Sequence, residues 1–331
     1  MPFPTTSILD VFTDTNGVDL PVHDANWSTL AGTSVLEVQD NAATGSVAAA
    51  CSGYRNNANF GPDCEVFATI ATLPANGAFT NLFIRLNETT FNGYSLVLSH
   101  LAGTDTIHIS RVDAGVPTQL GAANNQELAA GDAVGMSCVG STLQAYYKPS
   151  GGSWAPLGTT RTDATYSAAG RAGLYVDGAV IRVDDFGGGT VVLPPVVTVD
   201  PTEQTAAEGA TANFTITATG ATSYQWQQND GAGAGWVNES GGSGGTTDTY
   251  TTPTTVRAMH SGRLYRCNAI NAGGTTSSNA ALLRVTAIPA TYSGDGFVIG
   301  ASYIGEGMIG AANIIANITG VANPIFQLGR H

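Results

Sequence analysis

Residues 81–113 read NLFIRLNETTFNGYSLVLSHLAGTDTIHISRVD. Three runs stand out: NLFIRLNET (81–89), YSLVLSHL (94–101) and TIHISRVD (106–113). Apolar side chains recur at every second position, as Leu82, Ile84 and Leu86, then Tyr94, Leu96 and Leu98, then Ile107 and Ile109. Period two puts these side chains on one face of a strand, so each run buries one side and wets the other. Between the runs lie Asn-Gly and Ala-Gly-Thr-Asp, residues that favour turns. The pattern continues outward in CEVFATIATL (64–73) and TLQAYYK (142–148). Turn residues break it about every 8 to 12 positions, the spacing of a sandwich or barrel, and helical periodicity is nearly absent. Residues 147–154, YKPSGGSW, predict a hairpin around a Pro/Gly turn, and Asp177-Gly178 predicts another between two strands of 173–189.

The chain has 331 residues, 43% hydrophobic and only 11% charged, against roughly 25% charged in ordinary soluble domains. Small polar residues fill the gap, as in extracellular and virion β-proteins. Twelve basic residues against 25 acidic ones give a net charge of −13, and Lys148 is the only lysine. Such a surface repels phosphate backbones and anionic membranes, so neither nucleic acid nor membrane is an expected partner. No apolar run approaches the ~20 residues of a membrane-spanning helix. The opening MPFPTTSILDVFTD has no basic or apolar leader character, so the expectation is a protein made in a cytoplasm without a signal peptide.

Boundaries follow from composition. Residues 191–195, VVLPP, form a stiff proline linker. The expected domains are 1–190, a linker at 191–196, a second strand-rich domain at 197–286, and a segment at 287–331. That last segment is rich in Gly, Ile and Ala, nearly free of charge, and too short for its own core. Its Phe297, Ile299, Tyr303, Ile304, Met308 and Ile309 would leave a large apolar patch, the mark of a protein interface. Cys51, Cys64, Cys138 and Cys267 show no metal spacing. Four free thiols is the reading preferred, with a Cys51–Cys64 pair the alternative under oxidation.

Several stretches resemble a concanavalin A-like (laminin G-like) jelly roll found in phage and bacterial surface proteins. They are Ile8 to Phe12, Trp27, FGPDCEVFATI (60–70), RLNETTFNGYSLVL (85–98), LAAGDAVGMSCVGSTLQAYYK (128–148), TDATYSAAGRAGLYV (162–176) and RVDDFGGG (182–189). Residues 194–285 resemble bacterial and phage immunoglobulin-like domains. Trp226 matches their buried tryptophan, Tyr265 the tyrosine-corner position and Cys267 the second cysteine. Asn213 to Thr217 lacks the first cysteine, so packing of Phe214, Ile216 and Trp226 would hold that core. The fold class implied is all-β: a jelly-roll sandwich, an immunoglobulin-like sandwich and a short apolar C-terminal segment.

Chemistry is sparse. Glycosidases need two carboxylates facing across a cleft, and no ExDxxE strand motif occurs; Glu65 has no partner two residues on. No GxSxG nucleophile elbow or HExxH motif is present either, the Gly runs fitting linkers and turns, so no enzyme activity is expected. For sugar binding the candidates are aromatics with nearby amides: Tyr54 and Asn57 in one loop, Tyr147 and Trp154 at the hairpin, and Phe91-Asn92-Gly93-Tyr94. The same aromatics would also serve simply to fill or edge a sandwich. Calcium would need Asp10, Asp14, Asp19, Asp184 and Asp185 to converge, and turn aspartates explain those residues equally well. Otherwise no cofactor is expected. With the resemblance, the expected function is a structural virion protein of a tailed bacteriophage: capsid decoration, tail, or fibre/baseplate component. It would be present in many copies, held to other virion proteins by its C-terminal segment, and adhere weakly to host-surface glycans. The alternative is a bacterial carbohydrate-binding or glycan-degrading surface protein.

Overall fold

The computed structural model describes residues 3–73, 76–231 and 235–288. These are almost entirely β, with two single-turn helices at Leu20–His23 and Arg257–His260. Two antiparallel sheets pack face to face up to residue 190. The first runs, in spatial order, Ala155–Thr162, Thr142–Lys148, Ala133–Val139, Cys64–Thr72, Arg182–Thr190, Ala43–Gly45, Leu36–Val38 and Val18–Asp19, with Ile8–Asp10 also paired to Arg182–Thr190. The second runs Val116–Gln119, Thr106–Asp113, Asn92–Ser99, Phe79–Asn87, Arg171–Asp177, Ala50–Arg55 and Trp27–Ser28, with Asn124–Asn125 added beside Thr106–Asp113.

The period-two residues do what their spacing requires except Leu86: an irregularity after Ile84, where Arg85 has a φ of 50°, takes it out of the Leu82–Ile84 core and packs it with Leu30, Phe83 and Val112. Val66, Ala68 and Ile70 from the first sheet meet Leu82, Ile84, Leu96 and Leu98 from the second in one buried core. Removing such surface from water is the main source of stability, at about 25 cal/mol per Å². One end of the core is closed by Arg85, itself buried, which donates to the carbonyls of Pro62, Tyr166 and Gly140 at 2.6, 2.7 and 2.7 Å. A single guanidinium thus ties three loops together, satisfying backbone acceptors that burial would otherwise leave unpaired.

The predicted hairpin at residues 147–154 forms, with Tyr147 opposite Ala155. The one predicted at Asp177-Gly178 does not. Arg171–Asp177 pairs with Ala50–Arg55 and Phe79–Asn87 in the second sheet, whereas Arg182–Thr190 pairs in the first. The turn is an arch from sheet to sheet, with Ile181 turned into the core between them. Cys64 also has an unexpected neighbour. It stands opposite Cys138 in the first sheet while Cys51 lies in the second, and all four cysteines are buried free thiols. Burial pushes the Cys64 thiol up to about 12 and the Cys138 thiol to about 11, far from thiolate reactivity.

Beyond Pro195 a second pair of sheet layers forms. Gln204–Ala207 runs parallel to Ala281–Thr286, followed by Leu264–Asn271, Ser223–Asn229 and Val237–Asn238. Asn213–Thr215 pairs with Thr249–Thr251, and Val196–Val199 with Thr217–Thr219. Phe214, Ile216, Trp226, Tyr265 and Cys267 are all buried. Phe214 stacks on Tyr265 with ring centroids 4.7 Å apart, and the Trp226 indole N–H donates to the Thr247 carbonyl at 2.9 Å. Phe297, Ile299, Tyr303, Ile304, Met308 and Ile309 lie outside the described residues. No helix among the described residues is long and apolar enough to cross a membrane.

Candidate functional site

The strands of the second sheet turn their alternate residues outward. Register places Tyr175, Asn81, Val97 and His108 in one row across four strands, and Phe83, Ser95 and Ser110 in the next. A cavity of about 160 Å³ opens on this face, lined among others by Phe79, Asn81, Phe83, Phe91, Pro117 and Tyr175. Phe79 and Tyr175 stack in parallel at 5.4 Å, and Phe83 meets Phe91 edge to face at 5.6 Å. One wall is fixed by the Ala114-Gly115 turn. Its Ala114 N–H donates to the Asn92 side chain at 2.7 Å, and its Gly115 N–H to the Phe91 carbonyl at 2.9 Å.

The floor of this face is polar and unsatisfied. The Asn81 Oδ1, Ser95 Oγ, Ser110 Oγ and His108 Nδ1 atoms are buried and have no hydrogen-bond partner among the described residues. Burial holds the His108 pKa below its ordinary value, so the imidazole is neutral at pH 7. Buried polar atoms normally find partners in protein or solvent, because leaving one unpaired costs about 1–3 kcal/mol. An uncharged amide beside stacked aromatic rings suits a ligand with hydroxyls on one edge and C–H groups on a flat face.

The residues singled out from sequence do not gather in one place. Phe91 lines the cavity, but Tyr94 is a core residue whose hydroxyl donates to the Asp163 carboxylate at 2.8 Å. Tyr54 packs, half-buried, on a cluster with Leu30, Phe83 and Leu86, and Asn57 is exposed in the loop beyond it. Tyr147 points into the first sandwich. Its hydroxyl donates to Asp132 at 2.7 Å, and burial together with that carboxylate pushes its pKa up to about 12. Trp154 sits on the outer face of the first sheet, the opposite side of the sandwich. Asn81, Phe79 and Tyr175 were missed because the sequence presents them as ordinary members of alternating strands.

That first-sheet face is covered. Phe3 stacks on Tyr146 at 3.8 Å and meets the Trp154 ring edge-on at 4.9 Å and that of Phe67 at 6.3 Å. Glu65, only 2% exposed, accepts from the N–H groups of Thr5 and Thr6, both at 2.6 Å, and from their hydroxyls at 3.2 and 2.8 Å. The strand acid considered for chemistry is therefore fully engaged by the leading segment.

Of the aspartates considered for calcium, Asp10, Asp14 and Asp184 do lie near one another, because Ile8–Asp10 pairs with Arg182–Thr190. Protein donors hold them. Asp10 accepts from the Trp27 indole at 2.7 Å and lies 3.0 Å from His23 and 3.5 Å from Arg55. Asp14 contacts His23 at 3.2 Å, and Asp185 accepts from the Thr69 hydroxyl at 3.1 Å. Asp19 stands in the strand pair opposite Glu37. Among the described residues no group of three or more His, Cys, Asp or Glu side chains is placed to hold a metal ion. Arg55 supplies positive charge beside these acids, and the His23 ring bridges Asp10 and Asp14.

No protein-family model matches the chain, and no curated protein matches it. Among solved structures it is similar to the carbohydrate-binding module CBM66 from Bacillus subtilis, with 17% identity and a TM-score of 0.41 over 50% of this chain and 96% of that one. It is similar also to the CBM2 module of the evolved Dit of Lactobacillus casei BL23 phage J-1, with 12% identity and a TM-score of 0.39 over 54% and 92%. A chimeric titin Z1Z2 shares 28% identity at a TM-score of 0.22 over 28% of this chain and 95% of that one. With TM-scores below 0.5, these likenesses carry nothing about what this chain binds.

Proposed function

We propose that this chain is a non-catalytic, glycan-binding structural protein, and that the groove over Asn81 takes a short neutral sugar. One observation carries the reading: Asn81, nine-tenths buried and with an Oδ1 that has no partner among the described residues, lines a cavity walled by the stacked Phe79–Tyr175 pair. Among the described residues no Lys or Arg lines that cavity, so a neutral ligand fits better than an anionic one. The test is a glycan array on the full chain, followed by titration of any hit against Phe79→Ala and Asn81→Ala. Each substitution should weaken binding about tenfold, the equivalent of ~1.4 kcal/mol. An array with no hit, or a hit indifferent to both changes, ends the glycan reading.

The setting we infer is the virion of a tailed bacteriophage, with residues 1–190 and 197–286 as separate domains and 287–331 as the anchor to other virion proteins. Low ionic content, a single lysine and a net charge of −13 support a many-copy surface role. Antibodies against the chain should label an intact particle, and truncation after residue 288 should abolish incorporation. Unlabelled particles, or full incorporation of the truncated chain, would remove this setting while leaving the glycan site to its own test.

A further inference from the structure

Residues 3–6 cover the first sheet through contacts that a separate peptide would make equally well. Regular pairing of the leading segment begins only at Ser7, whose carbonyl accepts from Gly188, and at Ile8, which faces Gly187. Before that point the segment is held by side chains of the sheet. At one end the Phe3 ring enters a recess formed by Tyr146, Trp154 and Phe67, with Gly135 as its floor; any side chain at Gly135 would collide with that ring. At the other end one Glu65 oxygen collects all four Thr5 and Thr6 donors. The described residues give that carboxylate no other donor, so its burial is tolerable only while the segment is present.

We propose that residues 3–6 are a plug in an exchangeable socket, and that the socket accepts the same segment from a second copy of the chain. The recognised chemistry is an aromatic ring followed, two and three residues on, by two consecutive residues offering N–H and O–H groups. The contacts are identical within one chain or between two, the condition under which a segment swaps at low cost. Phe-Pro-Thr-Thr-Ser carries no charge, so a neighbour bearing −13 brings a neutral segment to the socket. Tethering gives the chain's own plug a local concentration on the order of millimolar. Dilute chains therefore close on themselves, and exchange is reserved for crowded copies. The socket lies on the sheet opposite the Asn81 groove and stands independently of the glycan reading.

The test uses a fluorescent peptide of residues 1–8, MPFPTTSI, and the full-length chain. A Phe3→Ala chain, its own plug weakened, should bind the peptide at least tenfold more tightly than wild type. Adding Glu65→Ala should abolish that gain. Mixing the Phe3→Ala chain with a separate Glu65→Ala chain should give a two-chain species in sedimentation that neither gives alone. A folded Phe3→Ala chain that ignores the peptide, peptide binding indifferent to Glu65→Ala, or the absence of the mixed species overturns the proposal. If Phe3→Ala does not fold, hydrogen exchange of wild type decides. The Thr5 and Thr6 amides should exchange at least tenfold faster than those of Val66 and Ala68, and equal rates would refute an exchangeable plug.

Discussion

The two outer faces of the first sandwich solve one problem in opposite ways. Each sheet turns polar and aromatic side chains away from the core, and each leaves some of them nearly without exposure. On the first sheet the buried acid Glu65 is satisfied four times over by residues from the start of the chain. On the second sheet Asn81, Ser95, Ser110 and His108 keep atoms without a partner among the described residues, and Asn81 lines a cavity of about 160 Å³. A face closed by its own chain contributes stability, whereas a face left polar and open forgoes stability where a ligand can repay it.

That contrast breaks first at Glu65. Glu65→Ala removes the acceptor of four donors and frees residues 3–6, so it should destabilise the fold by about 3 kcal/mol, within the range for hydrogen bonds to a charged group. Chemical denaturation measures this directly, and a loss under about 0.5 kcal/mol, the size of an ordinary surface change, would mean that the covered face carries no stability. Gly135→Ala should follow at about 2 kcal/mol, because the new methyl meets the Phe3 ring and the Val66 carbonyl in a packed recess. Asn81→Ala, on the open face, should leave stability within about 0.5 kcal/mol, since no protein partner is lost. A cost as large as that of Glu65→Ala would show that Asn81 serves the fold and not a ligand.

Much of this arrangement was legible in the chain, and the failures share one cause. Period-two spacing located the strands from Cys64 to Lys148 because pleating is local. The Asp177-Gly178 turn misled because the same dipeptide serves a hairpin or an arch. Which one forms depends on strands at 50–55 and 79–87 that no short window contains. Glu65 looked solitary because its partners, Thr5 and Thr6, are about sixty residues away in sequence. The fragments resembling a jelly roll, FGPDCEV, the Gly140-Ser141 turn and TDATYS, are remote in sequence yet meet at Arg85. Asn81 and Phe79 carry no local mark of a site; only their neighbours across the sheet set them beside Tyr175.

The smallest expected effect concerns pH, and it too divides the two faces. Residues 3–7 lead into Ile8–Asp10, where His23 lies between Asp10 and Asp14, with Arg55, Asp24 and Asp184 around them. Burial opposes the charged imidazole, but hydrogen bonds to the two carboxylates outweigh it and raise the His23 pKa. A raised pKa means that this stabilisation is complete below about 6.5, the unfolded value, and is lost as pH rises through the folded one. Asp184 is raised by burial, with help from its neighbours Asp185 and Asp10, and favours the fold on acidification only near the carboxylate range. Asp14 and Asp24 are lowered, so their contribution disappears there. Between pH 6 and pH 8.5 the histidines decide. His108, on the open face, is lowered by burial alone and slopes the other way, adding stability as pH rises through about 6.5. From pH 6 to pH 8.5 the melting temperature of the wild type should therefore fall more, or rise less, than that of His23→Gln. In His23→Gln it should stay level or rise, with His108 left to set the trend. An unchanged slope in that variant would mean that the Asp10–His23–Asp14 cluster is not what the protein titrates.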